Sequence, residues 1–182
     1  GFAELVRSRG INFIGPPVAS METMGNKSNA INTALRLKVP VVPGSHGIMT
    51  NVERAAEVAL DIGYPILIKA VHGGGGKGMR EVTVPSELAE AFKRAHSEAV
   101  NAFGNGDIYM EKRVVRPRHV EVQVMADTHG NVIHLFERDC SIQRRHQKVV
   151  EIAPAFNLNA DTRKGILDAA IAIGREAGVD NA

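Results

Sequence analysis

A chain of 182 residues with 44% hydrophobic and 23% charged side chains holds enough apolar material for a real core and lies outside the disordered class. A net charge of +2 with no tryptophan excludes a nucleic-acid polycation acting through its overall field, so any basic function must be local. The single cysteine, Cys140, excludes an internal disulfide framework; the sequence offers no basic-then-apolar leader and no run of about eighteen apolar residues for a membrane span.

In chain order, residues 2–9 fit the end of an amphipathic helix with Phe2, Leu5 and Val6 inward, and Ile11 to Ile14 read as a short buried strand ended by Gly15-Pro16-Pro17. Starting at Gly1 without Met and stopping at Ala182, the chain has the look of a piece of something longer. Ser20 is a candidate cap for a helix running to Gly25, and a second helix is expected from Ser28 to Lys38 with Ile31, Ala34 and Leu35 on one face. Lys27 then sits at a helix junction, where backbone donors and a mobile ammonium can share an anion. Val39 to Gly44 is extended, because residues before proline are pushed from helical space, and a domain boundary is placed there. Asn51 caps a helix through Ile62 with Val52, Ala55, Ala56, Ala59 and Leu60 inward.

Strands are expected at 65–71 and 80–84, followed by a helix capped by Ser86 whose stripe is Leu88, Phe92, Ala95, Ala99 and Phe103. Burying Leu88 and the two phenylalanines contributes about 1.5–3 kcal/mol each. Further strands are expected at 107–114, at 118–125, where Val120, Val122 and Val124 alternate with His119, Glu121 and Gln123, and at 132–138. A basic run from Arg144 to Lys148, a strand at 149–154 and a helix opened by Asp161 or Thr162, with Ile166, Leu167, Ala170 and Ile171 inward, complete the chain. The sum is an α+β pattern with an antiparallel sheet.

The most informative stretch is Ile66 to Arg80, an apolar strand carrying Lys69 that runs into Gly73-Gly74-Gly75-Gly76-Lys77-Gly78. Glycine-rich backbone can curl its N–H groups around phosphate oxygens. Gly78 and Met79 stand where the G-x-x-x-x-G-K-[ST] loop needs a hydroxyl, and a strand rather than a helix follows, so the pattern reads as a flap over phosphates. A plain surface hairpin is the competing reading. A second concentration of donors runs from Arg138 through Gln143, Arg144, Arg145, His146, Gln147 and Lys148 without interleaved aromatics, which suits phosphate or carboxylate better than stacked bases. His119, His134, His146 and Cys140 share one sheet region but lack C-x-x-C or H-x-x-x-H spacing, so no metal site is expected from them.

Four segments together carry a family resemblance: Lys69 with Gly73 to Met79; Tyr109-Met110-Glu111-Lys112; Pro117 to Gln123; and Glu137-Arg138-Asp139-Cys140-Ser141-Ile142-Gln143-Arg144-Arg145-His146-Gln147-Lys148. The chain resembles the biotin carboxylase component of biotin-dependent carboxylases, an ATP-grasp enzyme, over essentially its whole length. Ala102 to Gly106 and Val149 to Ala155 look most like the pyruvate carboxylases, with acyl-CoA carboxylases left open.

The resemblance implies an ATP-grasp fold. Residues 1–40 would close the N-terminal carboxylase domain with its hinge, 41–114 would form the lid subdomain, and 115–182 would begin the C-terminal ATP-grasp subdomain. It implies ATP-dependent carboxylation of protein-linked biotin by bicarbonate through carboxyphosphate. Lys27 and Lys69 would neutralise nucleotide phosphates, Gly75 and Gly76 would cover them, and Glu111, Lys112, Arg113 and Val114 would form the adenine edge. His119, Gln143 and His146 would line the ribose and phosphate side, and Lys148, the catalytic candidate, would hold bicarbonate or carboxyphosphate. Implied partners are a biotin carboxyl carrier domain and copies of the full-length protein in a homo-oligomer, with no nucleic acid and no membrane, in the cytoplasm or mitochondrial matrix. The two magnesium-binding glutamates of the family lie downstream of Ala182, so the isolated chain is expected to turn over poorly or not at all. A non-catalytic ATP-binding or regulatory module is the alternative.

Overall fold

The computed structural model describes residues 1–72, 78–145 and 147–180. The chain divides into two units, one of Val41–Pro117 with Gln143–Gln147, the other of Gly1–Pro40, Arg118–Ile142 and Lys148–Ala182, called below the 41–117 unit and the split unit.

In the 41–117 unit the local signals and the packing agree. Helix α4 (Val52–Ile62) starts where Asn51 Oδ1 accepts the Arg54 N–H at 2.8 Å. Strands β1 (Ile66–Ala70), β2 (Met79–Val82) and β3 (Ile108–Lys112) form an antiparallel sheet in the order β2-β1-β3, with Ile68 opposite both Arg80 and Met110. Period-two alternation turns Ile66, Ile68 and Ala70 into the core, against Ala55 and Ala59 of α4 and Leu88, Phe92, Ala95 and Ala99 of α5 (Leu88–Phe103). The outer edge of β3 is covered by the preceding segment, for Met49 N donates to Ile108 O, Ser45 N to Met110 O and Lys112 N to Pro43 O at 2.7–2.8 Å.

Two expectations fail here. Leu60 is exposed, because the buried face of α4 is set by Ala55 and Ala59 and continues through Val52, Val58 and Ile62. Ser86 caps nothing: Pro85–Glu87 form a 3-10 turn, and Glu87 Oε2 instead accepts the Thr83 N–H and hydroxyl, both at 3.0 Å.

In the split unit, helices α1 (Phe2–Ser8), α2 (Val18–Gly25) and α3 (Lys27–Arg36) precede strands β4 (Val120–Ala126), β5 (Val132–Arg144) and β6 (Gln147–Ile152), ordered β4-β5-β6, and helix α6 (Ala160–Glu176). The ends of β5 and β6 at Gln143, Arg144 and Gln147 fall in the other unit. Helix α6, capped by Asn159 Oδ1 on the Thr162 N–H at 2.7 Å, packs on β4. Gly174 permits that approach, since a Cβ there would meet methyls of Val132 and Val124 at 3.3 and 3.4 Å.

The corrections in this unit are larger. The expected strand at 11–14 is not a strand, and Ile11, Ile14, Phe2 and Leu5 are exposed, leaving Ala3 as the buried residue of α1. No neighbouring strand among the described residues supplies these apolar side chains with a surface. Ser20 does not cap α2 but sits buried inside it, its hydroxyl donating to Ala177 O at 2.6 Å and Gly178 O at 3.0 Å. The last helix opens at Asn159 rather than at Asp161 or Thr162. The six strands found among the described residues form two three-stranded sheets instead of one. Finally, β5 continues to Arg144 and β6 begins at Gln147, so the basic run spans the end of one strand and the start of the next, with Arg145 at φ +51°.

Among the described residues, no helix is long and apolar enough to cross a membrane.

Candidate functional site

In the 41–117 unit the functional side chains stand on the sheet. Lys69 of β1 and Glu111 of β3 lie on neighbouring strands, two residues out of direct register, and their side chains form an ion pair in which each is 21% exposed. A pair so sheltered is screened less than a surface pair, while its ammonium remains within reach of solvent. Burial, and secondarily the Glu111 charge, pushes the Tyr109 phenol up to about 12, so it stays a neutral donor beside this pair. Lys112 Nζ donates to Gly63 O and Tyr64 O, both at 2.8 Å, and fastens the C-terminal end of α4. Arg113 Nε meets Glu81 Oε2 at 3.0 Å, and its N–H donates to Pro65 O at 3.0 Å. The main-chain donors of Lys112 and Arg113 are thus engaged internally, and Val114 stands exposed just beyond the strand.

In the split unit the centre is Glu121 of β4. Its Oε1 accepts from Arg138, directly opposite on β5, and its Oε2 accepts from Lys148 of β6. His119 Nε2 stands 3.6 Å from the same Oε2, and Arg138 Nε stands 3.5 Å from Glu151 Oε2. The Lys148 hydrogen bond, helped by Arg138, holds the Glu121 carboxyl at about 2, and Glu121 in turn raises the Lys148 ammonium. Beneath lies Cys140, fully buried, its thiol pushed up by burial and by Glu121. His119 is fixed through its backbone: its N–H donates to Ser141 Oγ at 2.9 Å, and its carbonyl accepts the Cys140 N–H at 2.7 Å. Asp139 accepts from Ser141 and from Arg118, and these bonds hold its carboxyl at about 2.

Glu121, Cys140 and Glu151 each bring a ligand atom within 4.8 Å of the others. This trio does not fit magnesium: a thiol is a poor ligand for a hard cation that prefers near-octahedral oxygen, and Glu121 is already held by two cations. No step below is routed through a metal.

The family model described as "Carbamoyl-phosphate synthase L chain, ATP binding domain" matches residues 26–182. The chain belongs to that family. It is 51% identical over 170 residues to a pyruvate carboxylase of Staphylococcus aureus, covering 93% of the chain and 15% of that protein. It is 50% identical over 177 residues to the chloroplastic biotin carboxylase 2 of Populus trichocarpa, covering 97% and 34%. Among solved structures it superposes at TM-score 0.91 and 47% identity on a Campylobacter jejuni biotin carboxylase in a β,γ-ATP complex, covering 98% of the chain and 40% of that one. It superposes at TM-score 0.89 and 47% identity on the biotin carboxylase domain of Hydrogenobacter thermophilus 2-oxoglutarate carboxylase, solved with magnesium-ADP, ADP and bicarbonate, with the same coverage. The α+β architecture is therefore the biotin carboxylase form of ATP-grasp. The chain spans well under half the length of these relatives.

Of the residues singled out from sequence, the structure joins Lys69 to Glu111 and brings His119 and Lys148 to one carboxylate. Lys27 is the first residue of α3 and is exposed, but two of the N-terminal donors expected to share an anion with it, Ser28 N and Asn29 N, are spent on Asn26 Oδ1 at 3.0 and 3.2 Å. Gln143 lies near the end of β5. Gly75, Gly76 and His146 fall outside the described residues. Sequence reasoning counted Arg138 among the donors without joining it to Glu121, missed Glu151, and left Glu121 on a polar face without a role. Strand pairing links all three, and only the hairpin register could have exposed it.

Proposed function

We propose that this chain is the ATP-binding part of a biotin carboxylase, within a biotin-dependent carboxylase of the pyruvate carboxylase kind. What carries the reading is the likeness, over nearly the whole chain, to a biotin carboxylase domain solved with nucleotide and bicarbonate. In this reading residues 41–114 are the lid subdomain, 1–40 close the preceding domain, and 115–182 open the C-terminal ATP-grasp subdomain. Lys69 and Lys27 neutralise nucleotide phosphates, Gly75 and Gly76 cover them, and Glu111 to Val114 form the adenine edge, with Val114 offering main chain where Lys112 and Arg113 do not. His119, Gln143 and His146 line the ribose and phosphate side.

Lys148 carries the chemistry. A bicarbonate oxygen attacks the γ-phosphorus and ADP leaves; the carboxyphosphate so formed splits into carbon dioxide and phosphate, the phosphate takes the proton of the biotin ureido nitrogen, and that nitrogen, on a carrier domain, bonds to the carbon dioxide. Charge spreads over the transferring phosphoryl group and the incoming anion, and a fixed ammonium stabilises it without reorganisation. Magnesium, which accompanies ADP in the Hydrogenobacter structure, would neutralise the phosphates from ligands other than the described cluster. The complete protein is taken to be a homo-oligomer of the cytoplasm or mitochondrial matrix.

In the complete carboxylase carrying this segment, Lys148→Gln should lower bicarbonate-dependent ATP cleavage by about 100-fold or more, the size of losing one fixed charge at a transition state, while nucleotide affinity stays within a few-fold. Unchanged turnover would remove Lys148 from the mechanism.

A further inference from the structure

His119 stands one residue before β4, outside the ladder that ends with Val120 opposite Asp139. Its carbonyl still finds a strand partner, the Cys140 N–H at 2.7 Å, but its own N–H is taken by a side chain, Ser141 Oγ at 2.9 Å. The same Oγ lies 2.5 Å from Asp139 Oδ1. Asp139 is ionised at neutral pH, its carboxyl held at about 2 by the Ser141 hydroxyl first and by Arg118 next. A backbone N–H only donates and an ionised carboxylate only accepts, so the one hydroxyl proton points at Asp139 and a lone pair faces His119.

Asp139 is itself clamped. Its Oδ1 also accepts the Ser141 N–H at 2.9 Å, which fixes the backbone of the serine together with its hydroxyl. Its Oδ2 accepts from Arg118 Nε at 3.2 Å and Nη2 at 2.7 Å, a forked contact from the residue just before His119. The guanidinium donates in turn to the Phe156 and Asn157 carbonyls ahead of α6. With the Asp139 side chain 13% exposed, water competes little for these bonds. One carboxylate thus ties down the chain on both sides of the His119 peptide, while the imidazole beyond it is half exposed.

We infer that Asp139 and Ser141 are positioning residues for nucleotide binding: Asp139 orients the Ser141 hydroxyl, the hydroxyl fixes the His119 peptide, and the peptide sets the direction of the imidazole. This rests on the proposed place of His119 on the ribose and phosphate side. Asp139 and Ser141 act through His119 and do not touch the nucleotide.

The test is Ser141→Ala in the complete carboxylase carrying this segment, read by steady-state kinetics of bicarbonate-dependent ATP cleavage and by hydrogen exchange of the peptide containing His119. KM for ATP should rise about fivefold, the size of one ordinary hydrogen bond, with KM for bicarbonate within about twofold and exchange at His119 faster. Ser141→Thr, which keeps the hydroxyl, should hold KM for ATP within about twofold. Asp139→Asn puts a donor among the donors that surround the carboxylate; it should also raise KM for ATP, and it serves as the test if Ser141→Ala does not fold. In the His119→Ala background, Ser141→Ala should add no further loss. An unchanged KM for ATP, an equal rise for bicarbonate, no rescue by threonine, or full additivity with His119→Ala would overturn the inference. If His119→Ala alone leaves KM for ATP unchanged, the functional reading of His119 fails first; if it raises KM while Ser141→Ala changes nothing, only the positioning roles fall.

Discussion

Gly78, where the glycine loop rejoins β2, can be tested against a control already present in the fold. It has φ +71°, its carbonyl accepts the Ala70 N–H at 2.9 Å, and a Cβ built on it would stand 2.9 Å from the Ala70 Cβ. Ala70 is 2% exposed and backed by the core, so it has nowhere to retreat. In Gly78→Ala the left-handed backbone costs about 1–2 kcal/mol, and the enforced contact costs about 1–3 kcal/mol more. Lower entropy of the unfolded chain returns about 0.4–1 kcal/mol. The net loss lies between about 1 and 4.5 kcal/mol, centred near 3 kcal/mol. Gly104 has the same φ, +71°, but nothing within 4 Å of its would-be Cβ, so Gly104→Ala carries the backbone cost alone, about 1 kcal/mol or less. The assay is urea unfolding followed by far-UV circular dichroism, with hydrogen exchange of the Ala70 amide as a local reporter. The Ala70 amide should lose protection in Gly78→Ala and keep it in Gly104→Ala. Equal destabilisation by the two substitutions, with Ala70 protection unchanged in both, would refute the argument that close packing against β1 fixes the loop's return.

The remaining predictions concern charge. Glu121 and Asp139 both have folded values near 2, below their ordinary 4.5 and 3.8. The stability they contribute is therefore fully present above those ordinary values and is lost as pH falls through about 2; Glu121→Gln and Asp139→Asn should each flatten the acid limb of a plot of urea midpoint against pH. Burial pushes the Glu137 carboxyl up, but the Arg163 and Ala155 hydrogen bonds outweigh it and leave it lowered. It is fully buried, with Arg163 Nε at 2.8 Å, so Arg163→Met should cost about 3–5 kcal/mol by stranding a buried charge, and adding Glu137→Met should recover much of that in the same unfolding assay.

Much of the 41–117 unit is legible in sequence because its signals are local. The spacing of Leu88, Phe92, Ala95 and Ala99 defines one face of a helix, Asn51 announces a helix start, and alternation along Ile66, Ile68 and Ala70 defines one face of a strand. The split unit is less legible, because apolar residues such as Phe2, Ile11 and Ile14 signal burial without naming a partner, and the structure leaves them exposed. Ser20 shows the same limit: its preference for helix starts is local, but its hydrogen bonds go to residues more than 150 positions away.

The four family segments and the lysines at 69 and 148 were evident from the sequence alone, since identity and order along a chain need no coordinates. What the tertiary structure decided is which charges meet. Near the 127–131 turn the β4–β5 pairs run Ala126 with Val132 to Val124 with His134; continued unbroken, that count would set Glu121 against Glu137, two carboxylates. The register shifts between Val122 and Val124, where Phe136 takes φ +63°, and Glu121 meets Arg138 instead. One extra residue in the hairpin buries Glu137 against Arg163 and places Glu121 between Arg138 and Lys148. A bulge is a property of two strands fitted to each other, and neither strand's sequence states it alone.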